Sequence, residues 1–138
     1  LNALHYAATR AAKTGGGVEV LAIITPQDQT HWLGVAEKMR EEARETIEEN
    51  FQIYSNWMKD ELKLEAELVI REGEKATEVL NQISEDKEVG VLVLGANNSS
   101  EGPGPLISQL VSRDGGNLPI PVTIVPGSMT KERIEAVS

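Results

Sequence analysis

Residues 89–95 have the sequence Val-Gly-Val-Leu-Val-Leu-Gly, and a loop over 96–104 connects them to Pro105-Leu106-Ile107. A short apolar run that ends in glycine predicts a buried strand, and a proline after a small-residue loop suits the first position of a helix. In an open parallel α/β sheet, such a turn lies at the carboxyl ends of the strands, where nucleotides and phosphates usually bind. We therefore expect function to be decided at this turn.

Helix and strand signals alternate along the whole chain. Apolar spacing predicts helices over 1–14, 32–62, 76–83 and 105–112, and strands over 18–25, 64–71, 89–94 and 120–125. The Ser55-Asn56 pair allows a bend in the long helix, and the polar tail 131–138 is expected to form a loose helical turn. This alternation implies right-handed βαβ units. We predict an α/β fold of three layers, an open parallel sheet with helices on both faces.

The start of the chain departs from this architecture. The chain opens inside a helix, whereas a βαβ unit supplies a strand before its helix, and only four strand signals are visible. We expect a single domain over 1–138 whose first strand is not among these residues.

Composition narrows the classes of function. The chain has 138 residues, no cysteine, a net charge of −9 and a pI near 4.7. The acidity argues against a nucleic-acid partner, because such binding depends on Lys and Arg neutralising phosphates. No signal peptide and no apolar run near eighteen residues is visible, so we expect no membrane partner and a cytoplasmic location.

The last predicted strand suggests how the chain assembles. Its apolar core is Val122-Thr123-Ile124-Val125, flanked by prolines that favour the edge of a sheet. An edge strand must be covered or paired. Pairing with a second copy across a twofold axis would give a homodimer. The alternative is an edge covered by the polar tail.

Several segments together resemble the universal stress protein (UspA-like) family, over residues 1 to about 127. The matching pieces are the Ala-rich first helix ending AAKTGG, the strand VLAII at 20–24, VIREG at 69–73, VLVLG at 91–95 and IPVTIVP at 120–126. The resemblance implies a five-stranded parallel sheet, like that of the adenine nucleotide alpha hydrolases, and dimerisation through the last strand. It implies a role in a stress or regulatory response.

The same resemblance gives candidate nucleotide-binding positions. Binding members of the family look like Gly-x2-Gly-x9-Gly-Ser/Thr, and here Gly95 takes the first glycine, whereas Asn98, Ser108 and Gln109 occupy the other three positions. Ile23 and Leu94 resemble the apolar positions that flank adenine, although buried strand side chains would look the same. The nucleotide-binding loop is thus degenerate at three of its four motif positions.

The loop itself has features that suit a phosphate. Ser99 and Ser100 offer hydroxyls, Gly102 and Gly104 leave the backbone permissive, and the free amides of Leu106 and Ile107 should point towards the loop. Two features oppose phosphate binding: no Lys or Arg lies within 89–112, and the carboxylate of Glu101 would repel a phosphate. The alternatives are therefore a simple connecting loop and a site for ATP or AMP with Mg²⁺.

Enzyme chemistry is not indicated by the sequence. His5 and His31 lack a second ligand at metal-binding spacing, and Ser108 has no histidine or nucleophile turn around it. The leading hypothesis is a homodimeric, non-enzymatic stress-response protein. The second is an adenine-nucleotide-binding module, and the third is a nucleotide hydrolase or transferase.

Overall fold

A computed structural model of the chain describes residues 1–26, 33–96, 104–114 and 118–138. Helices and strands alternate through these ranges, which confirms the predicted α/β fold class. The elements are α1 (Asn2–Thr14), β1 (Val18–Ile24), α2 (Leu33–Leu62), β2 (Ala66–Glu72), α3 (Lys75–Glu85), β3 (Leu92–Ala96), α4 (Pro105–Asp114), β4 (Val122–Pro126) and α5 (Lys131–Val137).

The helix ends follow from local chemistry. Helix α1 ends at Gly15, whose φ of 76° is readily available only to glycine and whose N–H donates to the Ala11 carbonyl. Helix α3 begins after Glu74, whose carboxylate accepts the N–H groups of Ala76 and Thr77. Helix α2 runs unbroken through residues 55 and 56, so the allowance for a bend there was not needed.

The four strands form two parallel pairs. Strand β1 pairs with β2 in register from Val18 opposite Ala66 to Ile24 opposite Glu72. Strand β3 pairs with β4 from Leu92 opposite Val122 to Ala96 opposite Pro126. Within the described residues, no ladder joins one pair to the other.

Seven of the eight predicted strand boundaries differ from the observed ones, six by one or two residues and the start of β3 by three. Strand β3 begins at Leu92 because the N–H of Val89 closes a turn onto the Asp86 carbonyl (3.3 Å). The ladder starts where the N–H of Leu92 donates to the Pro121 carbonyl (3.0 Å), so β4 begins after that proline. Gly95 therefore lies inside β3 rather than after it. Strand β2 likewise starts at residue 66 rather than 64.

Helices cover the strands in two groups. Helix α3 packs on β1 and against α4, and α1 packs on β1, β3 and β4 and contacts both α2 and α5. The core between the strands and α3–α4 contains Ala76, Val79, Ile83 and Leu110, with half-buried side chains around it: Leu21, Ile23, Leu80, Leu92, Leu94, Leu106, Leu118 and Ile120.

The tail is more ordered than the sequence predicted. Instead of a loose turn it forms α5, which is capped by the Thr130 hydroxyl accepting the N–H of Arg133 and which buries Ile134 completely. Its partner is α1: Lys13 donates to the Glu135 carbonyl (2.9 Å) and Arg10 to the Ser138 carbonyl (3.2 Å). The tail therefore stabilises α1.

Candidate functional site

The carboxyl ends of the strands and the starts of the helices meet at one edge of the molecule. The N–H of Gly73, just after β2, donates to the carbonyl of Ile24 at the end of β1 (3.0 Å). The Asn2 amide, at the start of α1, donates to the carbonyls of Gly127 (3.0 Å) and Met129 (2.9 Å) after β4. In each strand pair, the end of a strand therefore lies beside the start of a helix, as in many anion-binding sites.

The structure places most of the predicted apolar site residues against the core. Ile23, Leu94 and Leu106 are half-buried and pack on the cluster of α3 and α4, and Ile107 is buried. Because these side chains pack on the same cluster, the ends of β1 and β3 and the start of α4 lie on one side of the molecule. These side chains are thus explained by packing without a ligand.

The other predicted site residues are glycines and polar residues, and only some of them are among the described residues. Gly95 is exposed in register with Val125, and an added Cβ would lie 3.4 Å from Ala3 of α1. Gly104 has a φ of 110° and accepts the N–H of Ser108 (3.1 Å), which starts α4, while Ser108 and Gln109 are exposed on that helix. The remaining predicted positions, Asn98, Ser99, Ser100 and Gly102, lie outside the described residues.

A groove of about 550 Å³ opens at the end of β1, beneath α2. Its apolar wall combines Ile23 with Met39, Ala43 and Ile47, and Lys75 at the start of α3 adds a positive charge. The full lining is Ile23, Ile24, Thr25, Met39, Glu42, Ala43, Thr46, Ile47 and Lys75. An apolar wall beside a cation suits a ligand with a flat or aliphatic body and an anionic group.

Sequence reasoning did not assign the α2 wall and Lys75 to a site. The periodic apolar positions of α2 were visible, but they predicted only a face packed on the core. No sequence pattern marked Lys75 as a site residue, because Lys75 and Ile23 are far apart along the chain and come close only in the folded structure. Both became candidates only when the packing of α2 over β1 was known.

A second cavity, of about 370 Å³, lies beside the first and is strongly charged. Arg40 contacts Glu72 at 3.6 Å, both with exposed side chains, and Arg44 lines the same cavity. Three carboxylates there, from Glu37, Glu41 and Glu72, oppose the binding of an anion. This cavity is therefore a weaker candidate than the groove.

An ionic network holds α3 against the β1–β2 pair. Arg71 of β2 donates to Glu78 (2.8 Å), Gln82 (2.9 Å) and Glu85 (2.6 Å) along one side of α3. The hydrogen bonds to Glu85 and Glu78 raise the pKa of Arg71, and the same guanidinium lowers the pKa of Glu85. Arg71 is therefore committed to structure and is not available to a phosphate.

The exposed edge of β4 is the other candidate surface. Val125 is buried at 2% exposure, whereas Ile124, whose side chain points to the opposite face, is 42% exposed. In the described residues, β4 pairs only with β3. Its second edge therefore keeps backbone donors and acceptors available for pairing.

A protein metal site is usually built from several His, Cys, Asp or Glu side chains that converge on one point. Across the described ranges, no three His, Cys, Asp or Glu side chains are grouped so that they could hold a metal ion. His5 instead stacks edge-on against Trp57, with ring centroids 5.3 Å apart, and lies 3.7 Å from Glu135. His31 lies outside the described residues.

The helices were also compared with the length and apolarity that a membrane span needs. In the part of the chain that the structure describes, none of them meets both requirements.

Comparisons with known proteins agree with the resemblance noted from the sequence. Residues 1–126 match the model of the universal stress protein family. The structure is similar to that of the universal stress protein UspA from Lactobacillus plantarum, with a TM-score of 0.75 and 14% identity over 89% of this chain and 86% of that one. No curated protein sequence matches the chain significantly.

Proposed function

This chain belongs to the universal stress protein family, and from that premise we propose that it acts in a cytoplasmic stress response without catalysis, as a homodimer joined through β4. The observation that carries the assembly is the second edge of β4, which is unpaired within the described residues and presents the exposed Ile124. Two copies of this edge related by a twofold axis would satisfy each other's backbone groups.

The packing of the tail supports this assignment. The sequence left open whether the tail covers the edge strand, and α5 instead packs against α1. Among the described residues, the edge of β4 is therefore open to a second copy of the chain. Cyclic twofold dimers are the commonest way in which soluble chains bury such a surface.

We expect Ile124→Asp to dissociate the dimer, because the substitution buries an unpaired charge beside the twofold axis. The cost, about 3 kcal/mol or more, corresponds to a dissociation constant raised by at least ~100-fold. Sedimentation equilibrium of both proteins measures it. The matched control is Ile53→Asp on α2, where an isoleucine that is 65% exposed has no part in β4. Equal association of all three proteins would contradict the proposal.

A second function, binding of ATP or AMP with Mg²⁺, is favoured by the groove at the end of β1. The sequence offered no cation within 89–112, but Lys75 lines the groove together with Ile23. Adenine could lie against the apolar wall while the ammonium group attracts a phosphate. The degenerate loop after Gly95 would then add at most backbone contacts.

Thermal unfolding with ATP, AMP and Mg²⁺ tests this second function. A nucleotide that binds only the folded chain raises Tm, by RT ln(1 + [L]/Kd) in free energy. We expect a rise at millimolar nucleotide that Lys75→Gln abolishes and that Lys87→Gln, an exposed lysine outside the groove, retains. An unchanged Tm of the unsubstituted protein would reject nucleotide binding. Phosphate released from ATP faster than in buffer would contradict the non-catalytic role.

A further inference from the structure

The wall that α2 contributes to the groove has an apolar part and a polar part. The residues of α2 that line the groove follow the spacing of one helix face, and they are Met39, Glu42, Ala43, Thr46 and Ile47. Met39, Ala43 and Ile47 are half-buried and form an apolar strip, whereas Glu42 and Thr46 are exposed and form a polar margin beside it. The groove therefore offers apolar surface and hydrogen-bonding groups side by side.

The two residues of the polar margin differ in what they offer to a ligand. The Thr46 hydroxyl donates to the backbone carbonyl of Glu42 (3.0 Å), so its proton is already used. The side-chain carboxylate of Glu42, in contrast, has no hydrogen-bond or ion-pair partner among the described residues. An ionised carboxylate only accepts hydrogen bonds. Glu42 therefore presents free acceptor oxygens to a ligand that carries donors.

Lys75 supplies the opposite charge in the same groove. Its ammonium group also lacks a partner in the part of the chain that the structure describes, and it does not pair with Glu42. An anionic group of a ligand is attracted to Lys75 and repelled by Glu42. The two charges therefore determine which end of a ligand lies at α2 and which lies at the start of α3.

We propose that Glu42 binds the ribose of an adenine ribonucleotide, by accepting hydrogen bonds from its two hydroxyl groups. The inference rests on the second function proposed above, nucleotide binding in this groove. Adenine lies on the apolar strip, the ribose lies against the polar margin, and the phosphate lies at Lys75. Acidic side chains accept ribose hydroxyls in the same way in many dinucleotide-binding domains.

This arrangement makes Glu42 a residue that determines specificity. A nucleotide without ribose hydroxyls leaves the Glu42 carboxylate without a donor, and a nucleotide with a phosphate on those hydroxyls brings two anionic groups together. The groove therefore selects ribonucleotides whose ribose hydroxyls are both free. A side chain of α2 makes this selection, independently of the loop after Gly95.

The affinities for AMP and for its dideoxy analogue, which lacks both ribose hydroxyls, test the proposal. Isothermal titration calorimetry measures both ligands with the unsubstituted protein, with Glu42→Ala and with the control Glu45→Ala, an exposed glutamate of α2 that lines neither cavity. We expect the unsubstituted protein and Glu45→Ala to bind AMP about 10-fold more tightly than the analogue. Glu42→Ala should bind the two ligands equally, because only AMP loses hydrogen bonds.

A second variant separates the acceptor from its charge. Glu42→Gln keeps an acceptor oxygen and loses the charge, so its preference for AMP should lie between those of the other two proteins. Equal binding of both ligands by the unsubstituted protein, or an unchanged preference in Glu42→Ala, would overturn the role of Glu42 and leave nucleotide binding intact. If neither ligand binds the unsubstituted protein, nucleotide binding itself is rejected, and the role of Glu42 with it.

Discussion

Glu19 shows how the environment of a single carboxyl links stability to pH. It lies in β1 opposite Glu67 of β2, and Gln82 of α3 donates to its Oε1 (2.9 Å). Burial raises the pKa of Glu19 above its ordinary value of 4.5, and the hydrogen bond that its protonated carboxyl donates to the Asp86 carboxylate raises it further. The folded state therefore holds this proton more tightly than the unfolded chain does. The resulting stability is complete below pH 4.5 and is lost as the pH rises through the folded pKa.

We expect Glu19→Gln to raise Tm at pH 7, because an amide has no charge to desolvate and still accepts the hydrogen bond of Gln82. The gain should shrink towards zero below pH 4.5, where Glu19 is protonated. Thermal unfolding from pH 3.5 to 7.5 measures this. Glu65→Gln, an exposed glutamate just before β2, is the control and should not show the same dependence. A gain that is constant with pH would contradict the assignment.

At the scale of elements, α5 demonstrates how a short helix is stabilised by its neighbour. It has seven residues, too few to be stable alone, and it depends on the Thr130 cap, on its polar contacts with α1 and on one buried side chain. That side chain is Ile134, which is completely buried. The docking of α5 therefore depends chiefly on one apolar contact.

We expect Ile134→Ala to destabilise the fold by about 2–4 kcal/mol, through lost apolar contact and the cavity left behind. Val137→Ala, which shortens a side chain of the same helix that is 41% exposed, should change stability by less than about 0.5 kcal/mol. Urea unfolding of the three proteins measures the difference. Equal stabilities would mean that α5 is not packed as described.

The elements also show what a sequence can and cannot predict here. The helices were predicted well because their signals are local: apolar spacing, the glycine after α1 and the proline that begins α4. The start of β3 was misplaced because it depends on its partner, and only the ladder with β4 shows that pairing begins at Leu92. The groove beneath α2 was not foreseen for the same reason, since Lys75 and Ile23 meet only through tertiary packing.

For the molecule as a whole, the strand order is the feature that no local pattern contains. The alternation of elements predicted parallel strands and helices on both faces, and both are present. Among the described residues, the strands form two separate pairs, because β1 pairs only with β2 and β3 only with β4. Because β4 pairs only with β3 in the described residues, it is an edge strand. Whether the chain assembles through this edge is therefore a property of the whole molecule and not of a local pattern.

The mass of the unsubstituted protein in solution tests the central claim most directly. We would measure it by static light scattering behind a size-exclusion column over a range of micromolar concentrations. A chain of 15.0 kDa that pairs through β4 should give roughly 30 kDa, the twofold assembly. A constant mass of one chain across the range would contradict the homodimer.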